Sequence, residues 1–536
     1  MLFAVPSGFD AINEKRKYMI EFKNVSFKYE DGGEVLRNLN LTIDDGEVVL
    51  LCGESGCGKS TIVRMINALI PNYYTGTLSG KVFVNGLDTA ETDLYRIAEQ
   101  VASVFQNPKT QFYNVESTEE MVFGLENRGF SREEMKKRLE ETIKKLGMEN
   151  LTGRDLFEMS GGEKQKVACA CADTSGTPIV VLDEPSSNLD IYSIGELAAI
   201  IAKWKEEGKT VIVAEHRLYY MLPLADRVIY MKDGVIELSC KPEELIGLGQ
   251  ERIAMMGLRS TNILDIPVKS SSSQIVPEDH KYHEIPKTSV MVHDIKEDVL
   301  IIKDFEYMYK GSREPALYIA NLVIPENSII CVVGDNGAGK STFARTLCGL
   351  DKRAKGVLCY KGKELKRKER LKRTFLVMQD VAHELFTDEV AEELSSCIEV
   401  PEDDHEVRIA EILERLGLSG KEKRHPQSLS GGEKQRVAIG CAVAAERDIL
   451  VFDEPTSGLD HRRMTAFACV IKGLKESGKT IFVITHDPEL IAMCCDELVR
   501  IGDGRVLESG KMTTEYYKRW LRGALANKTG GINEMI

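Results

Sequence analysis

Long apolar runs are missing from this chain. No stretch of its 536 residues approaches the ~20 consecutive apolar residues that a membrane-spanning helix needs. The opening residues, MLFAVPSGFDAINEKRKYM, carry no long apolar run behind a basic one, so a secretory signal is not expected. A basic excess is missing as well. Lys and Arg number 70 and Asp and Glu 84, for a net charge of −14, which makes the chain a poor default binder of nucleic acid. Zinc-type spacing is also absent. The 13 cysteines are scattered, and neither Cys169 with Cys171 nor Cys494 with Cys495 forms a CxxC pair, so they read as buried, reduced thiols of a cytosolic protein.

What is present is ordinary globular material, 43% hydrophobic and 29% charged, in a length that suits several domains. The chain also repeats itself. LLCGESGCGKSTIVRMINALI (50–70) returns as CVVGDNGAGKSTFARTLCGL (331–350), and MSGGEKQKVACACA (159–172) as LSGGEKQRVAIGCA (429–442). IVVLDEPSSNLD pairs with ILVFDEPTSGLD, and VIVAEHR with IFVITHD. The shift from Lys59 to Lys340 is 281 residues; from Ser160 to Ser430, Asp183 to Asp453 and His216 to His486 it is 270. Such constant, long offsets indicate a duplicated domain rather than a solenoid. The expected boundaries are a first domain over 1–240, a linker over 241–298, a second domain over 299–510 and a tail over 511–536. The linker carries four consecutive serines, Ser270 to Ser273, and its early part, KPEELIGLGQERIAMMGL, reads as helix belonging to the first half. The Tyr/Trp/Leu spacing of the tail suits one more helix.

Gly53-Glu54-Ser55-Gly56-Cys57-Gly58-Lys59-Ser60 fits G-x-x-x-x-G-K-[ST], between the strand-like GEVVLLC and the helical STIVRMINALI, which runs on from Ser60 through Thr61. Glycines let backbone N–H groups turn inward around phosphate. The lysine reaches the β- and γ-phosphates, the hydroxyl suits Mg²⁺, and the helix N-terminus adds a positive dipole. Gly334-Asp335-Asn336-Gly337-Ala338-Gly339-Lys340-Ser341-Thr342 repeats the pattern. PIVVLDEP and DILVFDEP are apolar runs ending in two carboxylates, as a strand buried on both faces of a parallel sheet would be. Asp183 and Asp453 suit the Mg²⁺ shell, and Glu184 and Glu454 suit polarising an attacking water. The fold expected is α/β: two tandem P-loop NTPase domains, each with a mostly parallel sheet core and a helical subdomain.

SGGEKQ, at Ser160 to Gln165 and again at Ser430 to Gln435, resembles the signature of the ATP-binding cassette (ABC) ATPases, where it precedes the Asp-Glu strand as it does here. The resemblance covers about 22–240 and 299–510. It implies that Tyr29 and Tyr309 stack on adenine, and that Gln106 and Gln379 touch Mg²⁺ and sense a transmembrane partner. It implies that Ser160, Gly161, Gly162 and Ser430, Gly431, Gly432 bind nucleotide from the opposite cassette. Asp190 and Asp460 would couple the two sites, and His216 and His486 would contact the γ-phosphate. ATP and Mg²⁺ are the cofactors so implied.

FQNPKTQFYNV and MQDVAHELFTDEVAEEL, with AEHRLYYMLPLADRV, resemble the ATPases of energy-coupling-factor (ECF) importers of vitamins, their precursors or transition-metal ions. That implies an ECF-type transmembrane coupling subunit and a substrate-binding membrane component as partners, at the cytoplasmic face of the membrane. An aromatic and apolar patch (Phe112, Tyr113, Phe123; Leu385, Phe386) beside acidic residues would seat a basic, amphipathic coupling helix. KGKELKRKERLKR (361–373) carries eight basic residues and reads as a solvated helix. Two other readings share the chemistry: a twin-cassette exporter or sugar importer, and a soluble twin-cassette protein of ribosomes or nucleic acid. The latter class joins its cassettes through a long, charged, helical arm, unlike this Ser/Pro-rich linker.

Overall fold

The computed structural model describes residues 18–30, 32–268, 299–381, 384–398 and 405–526. Each half holds a six-stranded sheet beside a four-stranded antiparallel one. In the first half the large sheet runs Val235–Cys240, Arg227–Lys232, Val48–Gly53, Thr210–Ala214, Ile179–Asp183, Val101–Val104. The last five are mutually parallel and the first is an antiparallel edge. The second half repeats the order with Arg505–Lys511, Glu497–Gly502, Ile329–Val333, Thr480–Ile484, Ile449–Asp453 and Thr374–Val377.

Residue pattern explains the division. Val48–Gly53 is buried at every position, which a strand covered on both faces requires. Glu34–Asp44 alternates between buried and exposed, as a sheet with one wet face does. Helices Ser117–Asn127, Arg132–Leu146 and Gly161–Thr174 form the first helical subdomain. Val390–Ser395, His405–Arg415 and Gly431–Ala444 form the second.

The span 241–298, expected as a linker, begins as folded chain. Pro242–Gly247 and Gln250–Met255 are helical, and Leu245, Ile253, Leu258 and Ile263 are buried in an apolar cluster that continues through Leu490, Tyr517 and Leu521 of the second half. The Ser270 to Ser273 run lies outside the described residues, as do 1–17 and 527–536. The tail contains a helix, Thr514–Ala526, which packs against Ile191–Glu206 of the first half. The Tyr517 hydroxyl donates to the Ile263 carbonyl at 2.9 Å. Each half thus lays its C-terminal extension on the other. No helix among the described residues is long and apolar enough to cross a membrane.

Candidate functional site

Both P-loops run from a strand end into a helix, Lys59–Ile66 and Lys340–Leu347. Gly53 and Gly334 sit at φ 148° and 152°, and a Cβ there would stand 2.3 Å from the Met231 carbonyl and 2.0 Å from that of Ile501. Only glycine fits. Lys59 Nζ donates to the Gly53 and Glu54 carbonyls at 2.9 and 3.0 Å. Lys340 Nζ does the same to Gly334 and Asp335, at 2.7 and 2.9 Å. Both ammonium groups therefore lie inside their own loops. Tyr29 and Tyr309 are anchored beside these helices, their hydroxyls 3.3 Å from Thr61 Oγ1 and 3.0 Å from Thr342 Oγ1.

The carboxylates close on the P-loops from the neighbouring strand. Ser60 Oγ donates to Asp183 Oδ1 at 2.8 Å, and Ser341 bonds Asp453 likewise. Burial, with Glu184 beside it, pushes Asp183 up to about 6; burial raises Asp453 too. Glu184 and Glu454 take left-handed backbone, φ 45° and 49°, fixed by N–H bonds to the Ala214 and Ile484 carbonyls. This turn sends each glutamate towards its histidine, His216 Nε2 at 3.2 Å from Glu184 and His486 Nε2 at 3.4 Å from Glu454. Burial opposes ionisation of Glu184, but His216, Lys59 and Arg463 outweigh it and hold the carboxyl below its usual range. Burial dominates at Glu454 and pushes it up to about 8. Burial also lowers both histidines, His486 to about 3, so both imidazoles are neutral at pH 7. Gln106 Nε2 donates to Glu184 Oε2 at 2.8 Å.

The halves meet over these sites. Asp460 Oδ1 caps its own helix through Arg463 N–H at 2.8 Å, while Oδ2 accepts from Ser55 N–H of the first P-loop at 2.9 Å. Asp190 mirrors it, with Ser193 N–H at 2.7 Å and Asn336 N–H of the second P-loop at 3.1 Å. A cavity of about 450 Å³ around Lys340, Gln379, Glu454 and His486 is walled on the far side by Ser187, Asn188 and Leu189 of the first half. Ser160, Gly161 and Gly162 are not among its walls. Ser160 instead caps the helix Gly161–Thr174 in reciprocal bonds with Glu163, and Ser430, at the head of Gly431–Ala444, donates its N–H and hydroxyl to the Glu433 carboxylate at 2.8 and 2.9 Å.

The stretches after Gln106 and Gln379 divide their residues unexpectedly. Tyr113 is 81% and Phe386 82% exposed, whereas Phe112 packs partly against the core and Leu385 is buried. Tyr113 stacks on Phe123 with centroids 5.2 Å apart. Two of the acidic residues turn inward. Glu120 accepts from Tyr113 and Asn114 N–H at 3.0 and 2.8 Å, and Glu393 from Phe386 and Thr387 N–H at 2.9 and 3.0 Å. They hold the loop that presents the aromatic. Within the basic run, Arg370 is buried and donates to the Thr346 carbonyl, so that helix is only partly solvated.

Sequence reasoning missed Arg259. Its guanidinium is buried, donating to Asp487 Oδ2 at 2.6 Å and to the Leu459 carbonyl at 2.9 Å. The signal available was the residue after each histidine, Arg217 in one half and Asp487 in the other.

The family model "ABC transporter" matches residues 36–187 and again 317–457. An ABC transporter ATP-binding protein of Treponema denticola is 41% identical over 91% of this chain and 96% of its own length. Another relative so named, from Methanosarcina mazei, is 31% identical over 92% of this chain and 89% of its own. An archaeal ribosome recycling factor, solved with a ribosomal stalk protein, superposes with a TM-score of 0.58 at 24% identity, over 91% of this chain and 90% of its own, a likeness of fold alone. With two family matches set on two copies of the same P-loop architecture, the chain belongs to the ABC transporter family as an ATPase with two ATP-binding cassettes.

Proposed function

We propose that this chain is the energy-coupling subunit of an ECF-type importer of a vitamin, a vitamin precursor or a metal ion, docked on the cytoplasmic face of the membrane. One observation carries the reading. In each cassette a glutamine at the nucleotide site and an outward-facing aromatic lie on one short stretch, Gln106 to Tyr113 and Gln379 to Phe386, with the aromatic's backbone pinned by a buried glutamate. A partner helix seated on Tyr113 or Phe386 is therefore tied through a few residues to the γ-phosphate end of the site.

Within each site the P-loop binds ATP and Lys59 or Lys340 neutralises its phosphates. Ser60 with Asp183, and Ser341 with Asp453, offer the hard oxygen donors that suit Mg²⁺, joined by Gln106 and Gln379. A cation there would also favour the ionised form of the buried aspartates. Bound Mg²⁺ supplies neutralisation of charge on the transferring phosphoryl group. Glu184 and Glu454 orient the attacking water, and neutral His216 and His486 lie 3.2 and 3.4 Å from those glutamates and face the γ-phosphate. Nucleotide would be shared between Lys59 and Ser430, and between Lys340 and Ser160.

The test is membrane fractionation of Tyr113→Asp with Phe386→Asp. The double variant is expected to leave the membrane fraction while keeping its melting temperature and ATP binding. A variant that stays with the membrane subunits refutes docking at these aromatics, and co-sedimentation of the parent protein with ribosomes instead of membranes refutes the importer reading.

A further inference from the structure

The two cassettes differ in how they fill one cleft. In the first, the signature helix Gly161–Thr174 faces Ile191–Glu206, and between them Lys166 pairs with Glu196, which Tyr192 also bonds. The 270-residue shift places Arg436 at the position of Lys166, Arg463 at that of Ser193, and Ala466 at that of Glu196. The cation is kept, a second is added, and the carboxylate is gone.

What stands there instead is a cavity of about 380 Å³, bounded by Arg436, Arg463, Ile439, Ala466, Phe467 and Val470. Arg436 Nε is buried with no hydrogen-bond partner, and Arg463 reaches its nearest carboxylate, Asp460, only at 3.7 Å. Burial and the facing Arg463 both disfavour the charge on Arg436. A buried guanidinium N–H without an acceptor is costly, and a bidentate anion is the group that matches an arginine fork. Arg415, Arg462 and Gln435 also reach the wall, and the remainder, which includes Leu416 and Leu459, is mostly apolar, which suits an apolar body rather than a bare ion.

We infer that this cleft is a binding site for a small organic anion, with a carboxylate or phosphate head seated on Arg436 and Arg463 and an apolar body against Ile439, Phe467 and Val470. The head takes the position that the Glu196 carboxylate occupies in the other cassette. The site lies next to the nucleotide machinery. Arg463 overlies Gly432, where an added Cβ would meet its guanidinium at 2.7 Å, and neighbouring Arg462 pairs with Glu54 of the first P-loop at 2.8 Å. Occupancy would thus act on the site that contains Lys59.

Calorimetric titration of the full chain with octanoate, octyl phosphate, inorganic phosphate and octanol tests this. Octanoate or octyl phosphate should bind saturably, at least about tenfold tighter than either phosphate or octanol, and the stronger of the two identifies the head group. Ala466→Glu, which installs the missing carboxylate, should lose at least about tenfold of that affinity without lowering the melting temperature. Lys59→Ala should bind the probe as the parent does, because the P-loop takes no part. Octanol binding as well as octanoate, Ala466→Glu retaining parental affinity, or Lys59→Ala losing it would each overturn the inference.

Discussion

In the first cassette the residue after His216 is Arg217, and its guanidinium donates to the Ser186 and Leu189 carbonyls at 3.1 Å each, holding the loop that ends in Asp190. In the second cassette the residue after His486 is Asp487, and the loop ending in Asp460 is held at the Leu459 carbonyl by Arg259, which arrives from the first cassette's extension. The same mechanical task is met once within a cassette and once between cassettes. Asp487 and Glu489 are buried carboxylates, and Arg259 pairs with both, with Arg217 adding a smaller share of positive charge. A duplicated fold has therefore become a pair with unlike members, in which the second cassette's inter-site loop is complete only when the first cassette's extension is in place.

The largest expected effect concerns what the two cassettes share. Glu184→Gln with Glu454→Gln should lower turnover on the order of 10²–10⁴-fold while leaving ATP bound, because in the proposed mechanism the glutamates orient the attacking water and the P-loops hold nucleotide. In that background trapped ATP can be counted. Lys59→Ala with Ser430→Arg damages one shared site twice and should leave about one ATP per chain. Lys59→Ala with Ser160→Arg damages both sites and should leave almost none. Equal trapping by these two combinations would break the head-to-tail pairing, and near-parental hydrolysis by the double glutamine variant would break the assignment of both bases.

The next effect sharpens the contrast between the two arginines. Arg259→Ala strands two buried carboxylates and should cost ~3–5 kcal/mol in urea unfolding. Arg217→Ala removes bonds to two carbonyls and should cost less, ~1–3 kcal/mol. Equal losses would mean that the imported cation does nothing the local one does not.

The smallest effect is a pH dependence at another unlike pair. Arg227 of the first cassette binds Glu47 at 2.7 and 2.9 Å. The 270-residue shift puts Glu497 in its place, beside Asp496, and burial pushes that carboxyl up to about 7. The native state then holds a proton that the unfolded chain has released. Stability from this group is full below the ordinary value of 4.5 and is lost as pH rises through about 7. Glu497→Gln mimics the protonated form. It should be the more stable protein above pH 7, by up to ~3 kcal/mol, with the difference vanishing at about pH 4.5. A pH-independent difference in melting temperature would contradict the raised carboxyl.

Much of both nucleotide sites was legible in the chain because it is written in local chemistry. A glycine at φ near 150°, a Ser–Glu capping box three residues apart and an apolar strand closing on Asp-Glu each fix their own geometry within a few residues. The duplication set the pseudo-symmetry, and the Tyr/Trp/Leu spacing announced the tail helix. Tertiary structure alone decided which aromatic faces out, since Phe112 and Tyr113 are adjacent and differ only in what covers them. It alone placed the tail helix on the opposite cassette, joined Arg259 to Asp487 across 228 residues of sequence, and paired Lys166 with Glu196, which is what makes Ala466 in the other cassette a missing partner. These are matters of burial and long-range pairing. A side chain's partners there are set by which distant surface is packed over it, and no periodicity within its own segment carries that information.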